Sequence, residues 1–332
     1  MSEPPITLAD IEATRDAVAP WVIETPVVRW GGREMAERVG ADTEVWLKLE
    51  LMQVAGSFKP RGSLNNLLGL DEAARKRGVT AVSAGNHAIA VAFAARELGS
   101  TAKVVMPATA NPYRVARCRE LGAEVVLMDD VGKAFDEVKR IETEEGRTFV
   151  HPFEGRATIL GTATVGLELM RQLPNLDAVV VPVGGGGLIS GIARAVALIN
   201  PDCKVYGVEP EGAPTLSKSL AAGEPQSIDA VRTIADSLGA PHAAPMSFGL
   251  IQDHVEEIVL VDVDALRHAL ALLFAERKLA AEPASAASTA ALLGPLKDKL
   301  AGQRVGLVVS GANIDIDGFA TYVRAGLEAT AS

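Results

Sequence analysis

One lysine of this chain, Lys59, stands where its chemistry could differ from that of a surface ammonium. It lies in Ala55-Gly56-Ser57-Phe58-Lys59-Pro60-Arg61-Gly62-Ser63, with small and turn-forming residues before it and a proline after it. Proline is favoured at the first helical position, and from Leu64 the pattern turns amphipathic, with Leu64, Leu67, Leu68 and Ala73-Ala74 on one apolar stripe. Lys59 is therefore expected at or just before a helix N-terminus. The positive end of the helix dipole disfavours an ammonium there. It helps the neutral amine, the form that attacks a carbonyl to make a Schiff base. The competing reading is a solvated surface lysine, and this stretch alone does not decide between them.

A second chemical feature lies more than a hundred residues on. Val179-Val180-Val181-Pro182-Val183 runs directly into Gly184-Gly185-Gly186-Gly187, and a helix is expected from Leu188. The β-branched run suits a central strand buried on both faces. Ligands of open α/β sheets bind beyond the carboxyl ends of such strands. Four glycines there free several backbone N–H groups to face one anion, and the helix dipole adds attraction. The alternative is a tight strand-to-helix turn with no ligand. If the anion is a pyrophosphate, Glu209 could imitate the ribose-binding acid of a dinucleotide site. No G-x-G-x-x-G aligns, however, since the sixth position from Gly184 is Ile189. A monophosphate cofactor carrying an aldehyde would use both the glycines and Lys59.

The elements that must position these groups alternate. Thr7 caps a helix to about Val18, with Asp10 at the capping-box distance. Strands are expected at 44–50, 81–83, 102–106, 124–128, 148–150, 178–183, 204–208, 258–261 and 305–309. Helices are expected at 87–98, 112–121, 131–145, 157–172, 188–198, 264–280 and 285–300, with a last one after 309. Alternation of this length implies βαβ units, largely parallel sheets and an α/β fold.

Composition narrows the class. The chain has 332 residues, 48% hydrophobic and 22% charged, with a net charge of −10. An acidic chain without a Lys/Arg-rich run is a poor nucleic-acid binder, and no apolar run is long enough to span a bilayer. Cys118 and Cys203 lie far apart and outside metal-ligand spacing, as free thiols of a reducing compartment would. No basic segment followed by an apolar one opens the sequence, and a soluble cytoplasmic protein is expected. His151, His242, His254 and His268 show no ligand spacing and are read as structural.

The order of short segments resembles the fold-type II pyridoxal-phosphate enzymes, within the threonine/serine dehydratase and serine racemase group. The likeness runs through Ser57 to Gly62, Ser83-Ala84-Gly85-Asn86-His87-Ala88, His151-Pro152-Phe153, Gly184 to Leu188 and Gly207-Val208-Glu209-Pro210. It continues through Thr233-Ile234-Ala235-Asp236, Glu282-Pro283 and Ser310-Gly311 with Asn313. The resemblance implies two open twisted, mainly parallel sheets flanked by helices, as in the tryptophan synthase β fold, with the cofactor between two domains. These would be a large one, 1–70 with 152–332, and a small one, 71–151. It implies pyridoxal 5'-phosphate on Lys59, Phe58 beside the ring, and the phosphate on Gly184, Gly185, Gly186, Gly187 and Leu188. Asn86 would meet the phenolic oxygen and Ser310 the pyridine nitrogen. Ser83, Asn86 and His87 would grip the carboxylate of an amino-acid substrate. A neutral hydroxyl at Ser310 stabilises a pyridinium less than a carboxylate would, which favours β-elimination over transamination. The implied reaction is dehydration and deamination of a hydroxy amino acid such as L-threonine or L-serine to a 2-oxo acid and ammonia, and the implied assembly is a homodimer.

Departures from the family pattern shape the alternatives. Ala84 stands where racemases carry a serine, so a second base is missing. Of the family's cation ligands, Glu209 and Ala213 are present, but Thr215 replaces an acid; Glu209 reads equally well as an ordinary solvated or helix-pairing acid. Ile89-Ala90, Ala163, Ser237, Ser285 and Ala312 replace usual glycines or glutamine near the pocket. Such changes remove room and restrict the backbone, and point to an altered substrate. A bulkier or acidic 3-hydroxy amino acid is the first alternative, racemisation or β-replacement the second, a nicotinamide-dependent oxidoreductase the third, and a non-catalytic cofactor-binding relative the fourth.

Overall fold

The computed structural model describes residues 4–129 and 133–331. Among them, ten strands build two sheets: β1 Val27–Arg29, β2 Glu44–Lys48, β3 Val79–Val82, β4 Ala102–Pro107, β5 Glu124–Met128, β6 Thr148–Phe149, β7 Ala178–Pro182, β8 Lys204–Pro210, β9 Glu257–Val261 and β10 Arg304–Val308. The six-stranded sheet runs β1-β2-β10-β7-β8-β9, and only the edge strand β1 is antiparallel to its neighbour. The four-stranded sheet runs β5-β4-β3-β6 and is parallel throughout. The α/β fold with two mainly parallel sheets is as the alternation and the resemblance imply.

The valine run shows why β7 sits at the centre. Its side chains alternate between two apolar clusters, as a period of two demands. Val179 and Val181 pack with Val165, Leu169, Ile192 and Val196 of helices Arg156–Gln172 and Gly187–Ile199. Ala178 and Val180 pack with Leu266, Leu270 and Ala287 on the opposite face. In the smaller sheet Val79, Ala81 and Val104 face helix Asn86–Glu97, while Val82 and Val105 face helix Ala134–Glu145. The start of the expected 131–145 helix lies outside the described residues. Cys118 and Cys203 are free and buried. No helix among the described residues is long and apolar enough to cross a membrane.

Two expectations are corrected. The apolar stripe after Lys59 does not continue to Ala73-Ala74: helix Pro60–Leu68 stops at Gly69, and Asp71 caps a new helix, Glu72–Arg77, by accepting from the Ala74 amide at 2.7 Å. Leu64 and Leu67 are fully buried, whereas Ala73 is exposed. The helix expected at 285–300 is in fact a 3₁₀ turn, Pro283–Ala286, and a short helix, Ala287–Leu293. It ends at Gly294-Pro295, where proline cannot supply the next amide. Strand β1 and helices Arg33–Val39, Thr215–Ala222 and Pro245–His254 are short and carry weak periodicity; the sequence reading passes over them.

Candidate active site

Parallel pairing of β10 with β7 sets their carboxyl ends side by side. The loops that follow therefore emerge together: Gly184 to Gly186 after β7, and Ser310 to Asn313 after β10. The lysine segment is stitched along the second loop. Ser57 and Gly311 form an antiparallel bridge, the Phe58 amide donates to the Ser310 carbonyl at 3.2 Å, and the Ala312 amide to the Gly56 carbonyl at 2.9 Å. This brings Lys59 to the glycines across more than a hundred residues.

Lys59 is the N-cap residue of helix Pro60–Leu68, with Pro60 in the first helical position, as the sequence predicts. Its Nζ lies 5.1 Å from the Phe58 ring centroid and donates to the Pro152 carbonyl at 2.5 Å. Burial draws its pKa down to about 8, against an opposing pull from Glu282. Loss of hydration penalises the ammonium, so the neutral nucleophile is accessible near physiological pH.

The glycine loop opens helix Gly187–Ile199. Gly186 has φ +91°, a left-handed conformation that a side chain resists, and a Cβ on Gly185 would lie 2.2 Å from the Phe153 ring. Thr162 donates to the Gly187 carbonyl at 2.6 Å, tying the loop to the neighbouring helix. A cleft of about 450 Å³ is lined by Lys59, Phe58, Gly184, Gly185, Gly186, Gly187, Leu188, Asn86, Ser310 and Glu282. Every residue assigned to the cofactor from the resemblance thus borders one space. Ser310 Oγ lies 3.1 Å from Ser285 Oγ, a neutral pair of hydroxyls.

Asn86 begins helix Asn86–Glu97. Its Nδ2 donates to Glu282 Oε1 at 2.6 Å, and its Oδ1 accepts from Asn313 Nδ2 at 2.6 Å. Burial raises the Glu282 pKa to about 7, opposed by Arg114. His87 Nε2 lies 2.8 Å from the Val150 carbonyl. An acceptor-only oxygen requires the proton on Nε2, and burial holds the His87 pKa down to about 3. Ser83 Oγ accepts from the Gly85 amide at 3.0 Å.

A second cleft, about 1630 Å³, opens from the first; Lys59, Asn86, Phe153, Gly185 and Ser237 border both. Ser83 and His87 lie on its wall, beside Ala84, Arg114, Phe135, Asp236 and His242. Rings gather along one side. Phe153 and His242 are 5.5 Å apart, Phe135 and His242 5.5 Å, and His151 and Phe153 4.6 Å. The sequence reading treats His151 and His242 as structural and assigns Phe135 and Arg114 nothing. No local pattern marks them, because they meet only through the fold.

Glu209 accepts from the start of the helix that follows it. Its Oε1 accepts from the Leu216 amide at 2.8 Å, and its Oε2 from the Ser217 amide at 2.9 Å and the Ser217 hydroxyl at 2.6 Å. The carboxylate thereby holds the first amides of helix Thr215–Ala222, the helix-pairing role. Thr215, at the position of the missing acid, donates to the Ala240 carbonyl at 2.6 Å. Among the described residues no group of three or more His, Cys, Asp or Glu side chains gathers around Glu209 and Ala213 or elsewhere to hold a metal ion.

An anion cradle that a Cβ would fill and a half-buried amine with a lowered pKa share one cleft. That donor set fits a phosphate monoester bearing an aldehyde. The comparisons agree. The model of the family "Pyridoxal-phosphate dependent enzyme" matches residues 18–311. A phenylserine dehydratase of Ralstonia pickettii is 51% identical over 323 residues, covering 96% of this chain and 98% of the relative. An L-threonine ammonia-lyase of Thermotoga maritima is 39% identical, covering 97% of this chain and 79% of the relative. The structure of maize serine racemase superposes with a TM-score of 0.89 at 33% identity, covering 98% of this chain and 99% of that one. The chain belongs to the pyridoxal-phosphate dependent enzymes, and pyridoxal 5'-phosphate is its cofactor.

Proposed function

We propose that this chain is a dehydratase that removes water from a 3-hydroxy amino acid carrying an aromatic group on Cβ, with a 2-oxo acid and ammonia as products. The observation that carries the substrate is the ring-lined side of the larger cleft, where His242 meets Phe135 edge to face and Phe153 at a tilt, each 5.5 Å away. Aromatic rings favour such neighbours beyond their apolar area. The name of the 51% identical relative supports the same choice.

Bound pyridoxal 5'-phosphate supplies an electron sink for the charge left on Cα when its proton departs. The chain's own residues do the rest. Gly184 to Leu188 hold the phosphate through backbone amides, and Phe58 borders the ring. Lys59, alone among the titratable side chains of the described residues, lines both clefts. Its Nζ holds the cofactor and, once free, takes the Cα proton; a pKa of about 8 suits a base working near neutrality. Asn86 presents a fixed amide, and the Ser310 hydroxyl remains neutral beside Ser285. Ser83, Asn86 and His87 bind the substrate carboxylate. Ala84, on the cleft wall, has no proton to exchange, which favours elimination over racemisation.

The reading includes a division into residues 1–70 with 152–332 and residues 71–151, supported by the segregation of β3 to β6 in the four-stranded sheet. A cytoplasmic homodimer completes it, for which sedimentation is the check. The decisive assay is 2-oxo acid formation from the four stereoisomers of phenylserine, L-threonine, L-serine and 3-hydroxyaspartate. A phenylserine should lead in kcat/KM; a lead by 3-hydroxyaspartate or L-threonine overturns the aromatic assignment, and no product from any of them overturns the dehydratase.

A further inference from the structure

Arg114 belongs by chain position to the four-stranded sheet, on helix Pro112–Glu120, but its side chain is spent on the other sheet. Only 3% exposed, it donates from Nε to the Asn313 carbonyl at 2.8 Å, and from Nη2 to Glu282 Oε2 at 3.2 Å. Its two terminal nitrogens also grip Asp236, at 2.5 and 3.1 Å. Asn313 and Glu282 hold Asn86 at 2.6 Å each, and the Ser237 hydroxyl accepts a longer bond from its Nδ2 at 3.3 Å. The bonds close a ring: Arg114 to Asn313, Asn313 to Asn86, Asn86 to Glu282, and Glu282 back to Arg114. Both ends of the Asn86 amide are committed, oxygen to Asn313 and nitrogen to Glu282 with Ser237 as a more distant acceptor, so the two short bonds of this ring dominate its orientation. One turn earlier on the same helix start, Asn111 bonds the Asp315 side chain and adds a second tie.

We propose that Arg114 is a positioning residue for the dehydration: it ties the helices of the four-stranded sheet to the loops of the six-stranded sheet and, through Glu282 and Asn313, sets the Asn86 amide in the cofactor cleft. The catalytic part of this inference rests on the reading of the site given above; the positional part does not. A planar guanidinium can meet two carboxylates and a carbonyl in one fork, which an ammonium cannot. Its removal leaves Glu282 buried without its cation.

The test uses the full-length holoenzyme with Arg114→Met, Arg114→Lys and Asp236→Asn. Arg114→Met should lower kcat about 100-fold with a far smaller change in KM, as a small misplacement of a reacting group does. Arg114→Lys should restore part of kcat, and Asp236→Asn should lie between. Hydrogen exchange of the cofactor-stripped proteins gives the independent readout: amides at the starts of helices Asn86–Glu97 and Pro112–Glu120 and in 311–315 should exchange faster together, with β7 and β10 unchanged. Parental kcat with parental exchange overturns the proposal. Faster exchange without loss of kcat leaves a purely structural tie and overturns the positioning role. If Arg114→Met does not fold, the lysine and asparagine variants carry the same comparison. If the parent dehydrates nothing, the function reading fails while the exchange measurement still decides the ring.

Discussion

Lys59 Nζ donates to the carbonyl oxygen of Pro152 at 2.5 Å, although 93 residues separate them. The strand-end segment His151-Pro152-Phe153 thus holds the amine in place and, through Phe153, limits the glycine loop to residues without a Cβ. Burial brings the amine to a pKa of about 8, and Glu282 pulls it upward. The neutral form therefore gains as pH rises through 8. Cofactor recapture by the stripped protein should accelerate with pH up to that point and then level off, followed by the absorbance of the bound cofactor. Glu282→Gln should move the midpoint down. Lys59→Ala should lose turnover altogether, and a variant that retains it would remove Lys59 from the reaction.

Phe135→Ala opens the ring-lined wall without touching the cofactor cleft, since Phe135 borders only the larger space. An aromatic contact of about 0.5–1.5 kcal/mol beyond its buried area predicts a rise in KM for phenylserine of roughly tenfold. L-threonine, whose methyl group is far smaller than a phenyl ring, should be little affected. Steady-state kinetics with both substrates make the comparison, and equal losses would show that the wall does not select the substrate.

Glu282 makes stability depend on pH. Burial raises its folded pKa from 4.5 to about 7, with Asp236 adding to the rise and Arg114 opposing it. A raised folded pKa means that its stabilising contribution is complete below the unfolded value and is lost as pH climbs through about 7. Glu282→Gln should flatten this part of the stability profile, measured as the urea midpoint of the stripped protein between pH 4.5 and 7.5. An unchanged slope would assign it to other groups.

Two residues beyond Lys59, Arg61 anchors the same helix. It is fully buried between Glu50, at 2.9 Å, and Glu168, at 2.7 Å, and Lys48 also meets Glu168 at 3.0 Å. Removing one partner from such a cluster leaves charge uncompensated and costs about 3–5 kcal/mol. Arg61→Met should therefore lower the unfolding free energy from urea titration substantially, whereas exposed Arg33→Met, which breaks a surface pair with Glu37, should change it by no more than about 0.5 kcal/mol.

What the sequence determined by itself is local. Pro60 after Lys59 marks a helix start because proline has a fixed φ and no amide to lose there. Four glycines after a valine run mark a turn from strand end to helix start, and the alternation of elements marks parallel sheets. Even locally, short or weakly periodic pieces such as Thr215–Ala222 escape, because a turn or two of helix is held by its surroundings, here by Glu209. Tertiary structure alone decided the rest. Phe135, Phe153 and His242 become one wall, and Arg114, Asn313, Asn86 and Glu282 one ring, only when two sheets bring their carboxyl ends together. The identity of each residue is written in the chain, but hydrogen bonds and ring contacts act over a few ångströms, and no spacing along the sequence records which distant residues the fold makes neighbours.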